Sequence, residues 1–270
     1  PVFVPYYFAI FGGACAVIFG KMLYGGLGKN LYNPAVVGKF FVLIFFEKVF
    51  FKFKFSNTNF QILDLKLFRN FLDSSFTRFL DSLILSRSNS IGTFSGMALI
   101  FGGIYLVTKK RISPSTPLSF FLSSIILSFF VPEISKIPIG EILLVGIFMV
   151  EDMPTTPVFL IGKIYFRMML ALVSSILLSQ KVQNEVLFYA IIILNSFTLL
   201  INKVLRPVTF GKNLKIEAIK QFLQLIVLTF LIVAATIILI NLYNFGLFKY
   251  LIYGYSIIMI ITAFIFLKND

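Results

Sequence analysis

The chain has 270 residues, 59% apolar and 13% charged, with a mean hydropathy of +0.96. Soluble domains run nearer half apolar and a quarter charged, so a soluble enzyme is excluded and a polytopic membrane protein is expected. The absence of histidine removes imidazole from catalysis, metal binding and haem ligation, and the lone Cys15 allows no internal disulfide and no four-thiolate iron–sulfur cluster. Walker A, GxGxxG and CxxC signatures are absent too. The net charge of +13 does not point to nucleic acid, because the basic residues sit mostly between apolar runs, where they orient helices in a bilayer.

A helix crosses the hydrocarbon core with about 20 apolar residues. Nine stretches approach that: 3–20, 34–51, 91–108, 116–132, 138–151, 158–179, 186–202, 220–242 and 247–267. The expected class is therefore all-α, a polytopic membrane protein of about nine transmembrane helices. Pro1 opens the chain with apolar residues and no basic stretch, so no signal peptide is read. Lys21 and Lys29, the run Lys109–Lys110–Arg111, and Lys203, Arg206, Lys212, Lys215 and Lys220 fall on one side if the spans alternate; that side should be the cytoplasm. Residues 47–90 conflict with this, since they fall outside yet carry Lys or Arg at 48, 52, 54, 66, 69, 78 and 87. Within them, 60–85 reads as an amphipathic extracytoplasmic helix, with Phe68, Phe71, Leu72, Phe76, Phe79 and Leu80 on one face and Asn70, Asp73, Ser74, Thr77 and Asp81 on the other.

Two places carry the polar punctuation. The first is Gly25-Gly26-Leu27-Gly28-Lys29-Asn30-Leu31-Tyr32-Asn33-Pro34-Ala35. Its glycines allow close backbone approach, and Asn30 and Asn33 can satisfy backbone groups freed where a helix breaks in lipid. The second is Phe148-Met149-Val150-Glu151-Asp152-Met153-Pro154-Thr155-Thr156-Pro157. Adjacent carboxylates beside apolar spans need solvent, a partner or a cation, and Lys163 and Arg167 on the next helix are candidate partners. In each place a polar residue and a proline enter an apolar helix, Asn33-Pro34 and Thr156-Pro157, which suggests an inverted repeat with broken helices. Lys39, Glu141 and Asn195 lie in or near spans, and Asn195 is expected to hydrogen-bond in the interior.

These elements resemble the NqrB/RnfD family, membrane subunits of the Nqr NADH:quinone oxidoreductase and the Rnf ferredoxin:NAD+ oxidoreductase, with RnfD the closer match. The family's GGLGxNxFNPA reads here as Gly25 to Ala35 with Tyr32 for Phe. Its FMATDPVTSP aligns with Phe148–Pro157, keeping Phe148, Met149, Asp152, Thr155 and Pro157. Its SIGExSAL…GGLYL reads as Ser90-Ile91-Gly92-Thr93-Phe94-Ser95 and Gly102-Gly103-Ile104-Tyr105-Leu106, and its AILLxN as Ala190–Asn195. The match covers about residues 10–207. It implies an NqrB/RnfD-like membrane domain over 1–207, two additional helices over 208–270, and further helices ahead of the position matched by residue 1.

The resemblance also implies a urea-transporter-like inverted repeat in the bacterial cytoplasmic membrane, and a subunit not catalytic alone that serves an ion-translocating oxidoreductase complex. Flavin-mediated electron transfer would there be coupled to Na+ or H+ translocation. The implied partners are the other membrane, flavin and iron–sulfur subunits and a flavin transferase. The implied cofactors are FMN, phosphoester-linked to a Thr in an S-G-A-T motif, and riboflavin; no metal site is implied. Ser74-Ser75-Phe76-Thr77 falls at that motif and makes Thr77 the candidate acceptor, while Gly25, Gly26, Gly28, Asn30, Asn33, Asp152, Thr155 and Thr156 would form the broken-helix centre. The chain departs from the pattern at Ser75, Phe76, Arg78, Thr93 and Asn202, and Phe71 stands where an Asp is expected. Those departures keep two other readings open: a flavin-free small-solute or vitamin transporter or channel on the same fold, and a structural subunit that has lost its flavin.

Overall fold

A computed structural model describes residues 5–26, 28–46, 91–180, 182, 185–208, 214–247, 250 and 257. Hydrocarbon offers no hydrogen-bond partners, so a spanning backbone must satisfy itself, and helices do so within one segment. The described elements follow that rule. They are α1 (Tyr6–Gly20), α2 (Pro34–Phe45), α3 (Gly96–Thr108), α4 (Ser115–Ser128), α5 (Ile139–Leu143), α6 (Leu160–Ser179), α7 (Val186–Val204) and α8 (Leu214–Asn244), with no strand among the described residues. Among the described residues, four helices are long and apolar enough to cross a membrane: Tyr6–Tyr24, Leu160–Ser179, Val186–Val204 and Ile216–Asn244; α2, α3 and α4 are shorter and apolar. The protein is an all-α polytopic membrane protein. The amphipathic 60–85 stretch and nearly all of 247–267 lie outside the described residues.

Eight of the nine apolar stretches read from the sequence thus coincide with a described helix, and the bounds differ for local reasons. The third begins at Gly96 and not at 91, because Ser95 caps it, accepting the Ala98 N–H at 3.3 Å, and a 3-10 turn, Ile91–Thr93, precedes it. The fifth is not a uniform α-helix. After α5 it widens into a π segment, Leu144–Phe148, and then tightens into a 3-10 turn, Met149–Glu151. Such changes of pitch free backbone groups and are often found where a helix carries function.

Two clusters hold the helices together. The larger is centred on α6 and α7, where Phe166, Leu170, Val173 and Leu177 pack with Leu187, Ile191, Leu194 and Ile201. The smaller belongs to the α1–α2 hairpin: Phe8, Val42 and Leu43, flanked by Phe11 and Phe46. Lipid tails are as apolar as leucine, so helix pairing here relies on close packing and interhelical hydrogen bonds. Accordingly α1 and α2 cross at glycine. A Cβ on Gly38 would collide with the Gly12 carbonyl and lie 2.8 Å from Ala16 Cβ, and one on Gly20 would lie 2.8 Å from Pro34 Cα. Outward faces such as Phe222, Ile226, Val227 and Phe230 on α8 are exposed, as lipid-facing surfaces are.

Candidate functional site

The two broken elements meet. Residues 25–33 form the first, a turn whose Gly25, Gly26 and Gly28 have φ of +95°, +94° and +81°, a left-handed path that strains any side-chain-bearing residue. It ends at Asn33, whose side-chain oxygen accepts the Ala35 N–H at 3.0 Å and so caps α2, with Pro34 in the first turn. The same side chain spends its amide on the second element, donating to the Met149 carbonyl at 3.1 Å. Asn30 donates to Asp152 Oδ2 at 3.4 Å, and the Tyr32 hydroxyl lies 3.1 Å from Ser196 Oγ.

The second element is the 3-10 end of the helical run that begins with α5, Met149–Glu151, and the turn that follows it. A helix end leaves its last carbonyls without partners. Met149 O takes Asn33, and Val150 O takes Arg167 Nη2 at 3.0 Å. Asp152 O takes the Thr155 N–H at 3.2 Å and the Thr156 hydroxyl at 2.9 Å. Thr155 Oγ1 also donates to Asp152 Oδ2 at 3.0 Å. Thr155 and Thr156 are both buried.

Helix α7 ties the two elements together. Asn195 is 1% exposed, and with its amide nitrogen toward Thr155 it donates to the Thr155 carbonyl at 3.2 Å and accepts the Asn33 N–H at 3.0 Å. One turn on, Thr198 donates to the same Thr155 carbonyl at 2.9 Å, and Asn202 Oδ1 accepts the Val158 N–H at 2.9 Å. Asn30, Asn33, Asp152, Thr155 and Thr156 therefore sit in one connected polar network, with Asn195 as its clasp. Thr198, Ser196 and Asn202 belong to it as well. Spacing signals Thr198 and Asn202, since 195, 198 and 202 recur on one helix face, and nothing in the sequence signals Ser196.

The neighbouring carboxylates part company. Glu151 turns away from Asp152 and pairs with Arg167; the side chains are 9% and 1% exposed. Thr116 at the start of α4 donates to the same Glu151 oxygen at 2.6 Å. Lys163 supplies only its backbone carbonyl, to Arg167 Nη1 at 3.2 Å. Asp152 is met by Asn30 and Thr155, and no basic side chain among the described residues pairs with it. Lys39 has a separate partner. Its Nζ lies 2.5 Å from Glu185 Oε2 and 3.4 Å from the centre of the Phe188 ring, so it fastens α2 to the head of α7. Glu141 lies in the first turn of α5. Ser74, Ser75 and Thr77 lie outside the described residues.

The D subunit of the proton-translocating ferredoxin:NAD(+) oxidoreductase complex of Clostridium ljungdahlii is 27% identical over 233 residues, covering 78% of this chain and 70% of the relative. The D subunit of the Na(+)-translocating ferredoxin:NAD(+) oxidoreductase complex of Acetobacterium woodii is 26% identical over 218 residues, covering 78% and 69%. In the D subunit of the ion-translocating oxidoreductase complex of Actinobacillus succinogenes, identity reaches 54% over a block of 46 residues, 17% of this chain and 13% of the relative. The profile of the NQR2, RnfD, RnfE family matches residues 1–211, and the chain belongs to that family.

Proposed function

We propose that this chain is the D-type membrane subunit of an Rnf-type complex in the bacterial cytoplasmic membrane, where electron transfer from ferredoxin to NAD+ drives Na+ or H+ across the bilayer. The family match over residues 1–211 carries this reading, together with relatives whose names state that role. The geometry supports it. Intramembrane polar residues are costly and usually mark a substrate or ion path. Here two interrupted elements, one ending at Asn33 and one at Asp152–Thr156, close on each other through Asn195 and hold a carboxylate without a basic partner among the described residues. An inverted repeat places its broken helices together in this way.

In this reading Thr77 is the acceptor for covalent FMN, which supplies one-electron chemistry, and riboflavin is a second flavin for the complex. The chain positions the flavin and the ion centre. Flavin and iron–sulfur subunits of the complex are its partners, and a transferase attaches the FMN. Phe76 and Arg78, in place of the Ala and Pro of the family motif, favour a second reading, a flavin-free subunit or transporter on the same scaffold. Co-expression of the full chain with a flavin transferase separates the two by intact mass. A gain of one FMN less water, lost in Thr77→Ala, supports the electron-transfer subunit. No gain, while a protein carrying the full S-G-A-T motif is labelled in parallel, supports the flavin-free reading.

A further inference from the structure

Glu151 and Asp152 are adjacent in the chain, yet among the described residues only Glu151 has a cationic partner. Arg167 is buried, and it divides its donors between the Glu151 carboxylate, the Val150 carbonyl and the Lys163 carbonyl. It therefore does two things at once. It caps the end of the broken helix, where a cation also suits the negative end of the helix dipole. It also cancels the charge of Glu151, which two donors hold facing α4 and α6 and away from Asn30. What remains toward Asn30 and Thr155 is one carboxylate.

We propose that Arg167 is the charge-setting, positioning residue of the broken-helix centre: by binding Glu151 and the Val150 carbonyl it leaves Asp152 as the single uncompensated carboxylate there, and so suits the centre to one monovalent cation, sodium or a proton. This rests on the ion-translocating role proposed above. A centre with two free carboxylates would carry twice the charge and favour a divalent ion. Removing either partner of the pair must therefore change the charge beside Asp152, and in opposite senses. Arg167→Gln adds a negative charge and tightens the hold on a cation. Glu151→Gln leaves an unmatched guanidinium and weakens it. At the spacing of neighbouring residues and an effective dielectric near 20, each change amounts to about tenfold or more in affinity.

The test uses the full chain in nanodiscs and dicyclohexylcarbodiimide, a reagent that modifies carboxyl groups in apolar surroundings, with the adduct placed by peptide mass. In one arm NaCl replaces choline chloride at fixed pH, and the concentration that halves labelling of Asp152 is read. In the other, sodium is absent and the pH of half-labelling is read. Protection by NaCl identifies sodium, and a pH response without protection by NaCl identifies the proton. The half-point is expected to shift about tenfold, or one pH unit, toward tighter binding in Arg167→Gln and by a similar factor the other way in Glu151→Gln. In the double variant Glu151→Gln/Arg167→Gln, and in Arg167→Lys, it is expected to lie within about threefold of the parent. Shifts in the same direction in both single variants, or a double variant displaced as far as either, overturn the proposal, because lost packing alone gives that pattern. If Arg167→Gln does not fold, the Glu151→Gln shift and its reversal in the double variant decide the matter. The parent protein separates the two layers: labelling of Asp152 that neither sodium nor pH alters would refute the ion centre itself, whereas protection in the parent alongside unmoved half-points in the pair variants would refute only the role of Arg167.

Discussion

Replacing Asn195 by Leu should cost more than any single surface change, and the structure sets the size. The substitution keeps the volume in a site that is 1% exposed but removes two hydrogen bonds, to the Thr155 carbonyl and from the Asn33 N–H. The two losses are unequal. Thr155 O keeps the Thr198 hydroxyl at 2.9 Å, so it forfeits about 0.5–1.5 kcal/mol. The Asn33 N–H has no second acceptor among the described residues, and a buried orphan donor costs about 1–3 kcal/mol. The total is about 2–4 kcal/mol, the lower part of the range applying if the unfolded chain finds partners within the membrane. Thr198→Val alone should cost about 0.5–1.5 kcal/mol. The double variant should exceed the sum by about 1 kcal/mol, because only then is the Thr155 carbonyl left bare. Reversible unfolding in mixed micelles reads each value. Asn195→Leu within about 0.5 kcal/mol of the parent, or strict additivity with Thr198→Val, would refute the clasp.

Three further outcomes follow from the same geometry. Gly38→Ala should destabilise the α1–α2 hairpin by about 1–3 kcal/mol through collision with the Gly12 carbonyl, whereas Gly13→Ala, with nothing within 4 Å of its Cβ, should be neutral by the same unfolding assay. Lys39→Met removes the ion pair that joins α2 to the head of α7 and should cost about 1–3 kcal/mol; Lys39→Met with Glu185→Gln should recover part of it in a thermal melt. Asn33→Ala removes the α2 cap and the Met149 contact together and should cost about 2–3 kcal/mol, with proteolysis after residue 24 rising as the turn loosens.

Much of this architecture was legible in the sequence because lipid imposes simple rules. Apolar stretches located the helices, and Asn33 caps α2 where Pro34 begins it; the second polar–proline pair does not enter its helix, because α6 starts at Leu160 after Phe159 and the Thr156 hydroxyl turns back to the Asp152 carbonyl. Asn195 was legible as an interior group because an amide within a long apolar run has nowhere else to bond. Pairings were not legible. Nothing in the sequence says that Arg167 and not Lys163 meets Glu151; that follows from the helical phase of α6 and from the turn that points Glu151 toward Thr116. Nor does anything in the sequence place Glu185 against Lys39 across the α2–α7 contact. The π segment Leu144–Phe148 was equally invisible, since a change of pitch within one helix leaves no periodic trace over five residues.

The most direct test of the central claim is to purify the tagged full chain from its native membrane in mild detergent and reconstitute what comes with it. The account expects a multi-subunit assembly that carries flavin and iron–sulfur centres, reduces NAD+ with reduced ferredoxin and takes up Na+ or H+, with uptake lost in Asp152→Asn. A chain that purifies alone, without ferredoxin-dependent NAD+ reduction, would contradict it.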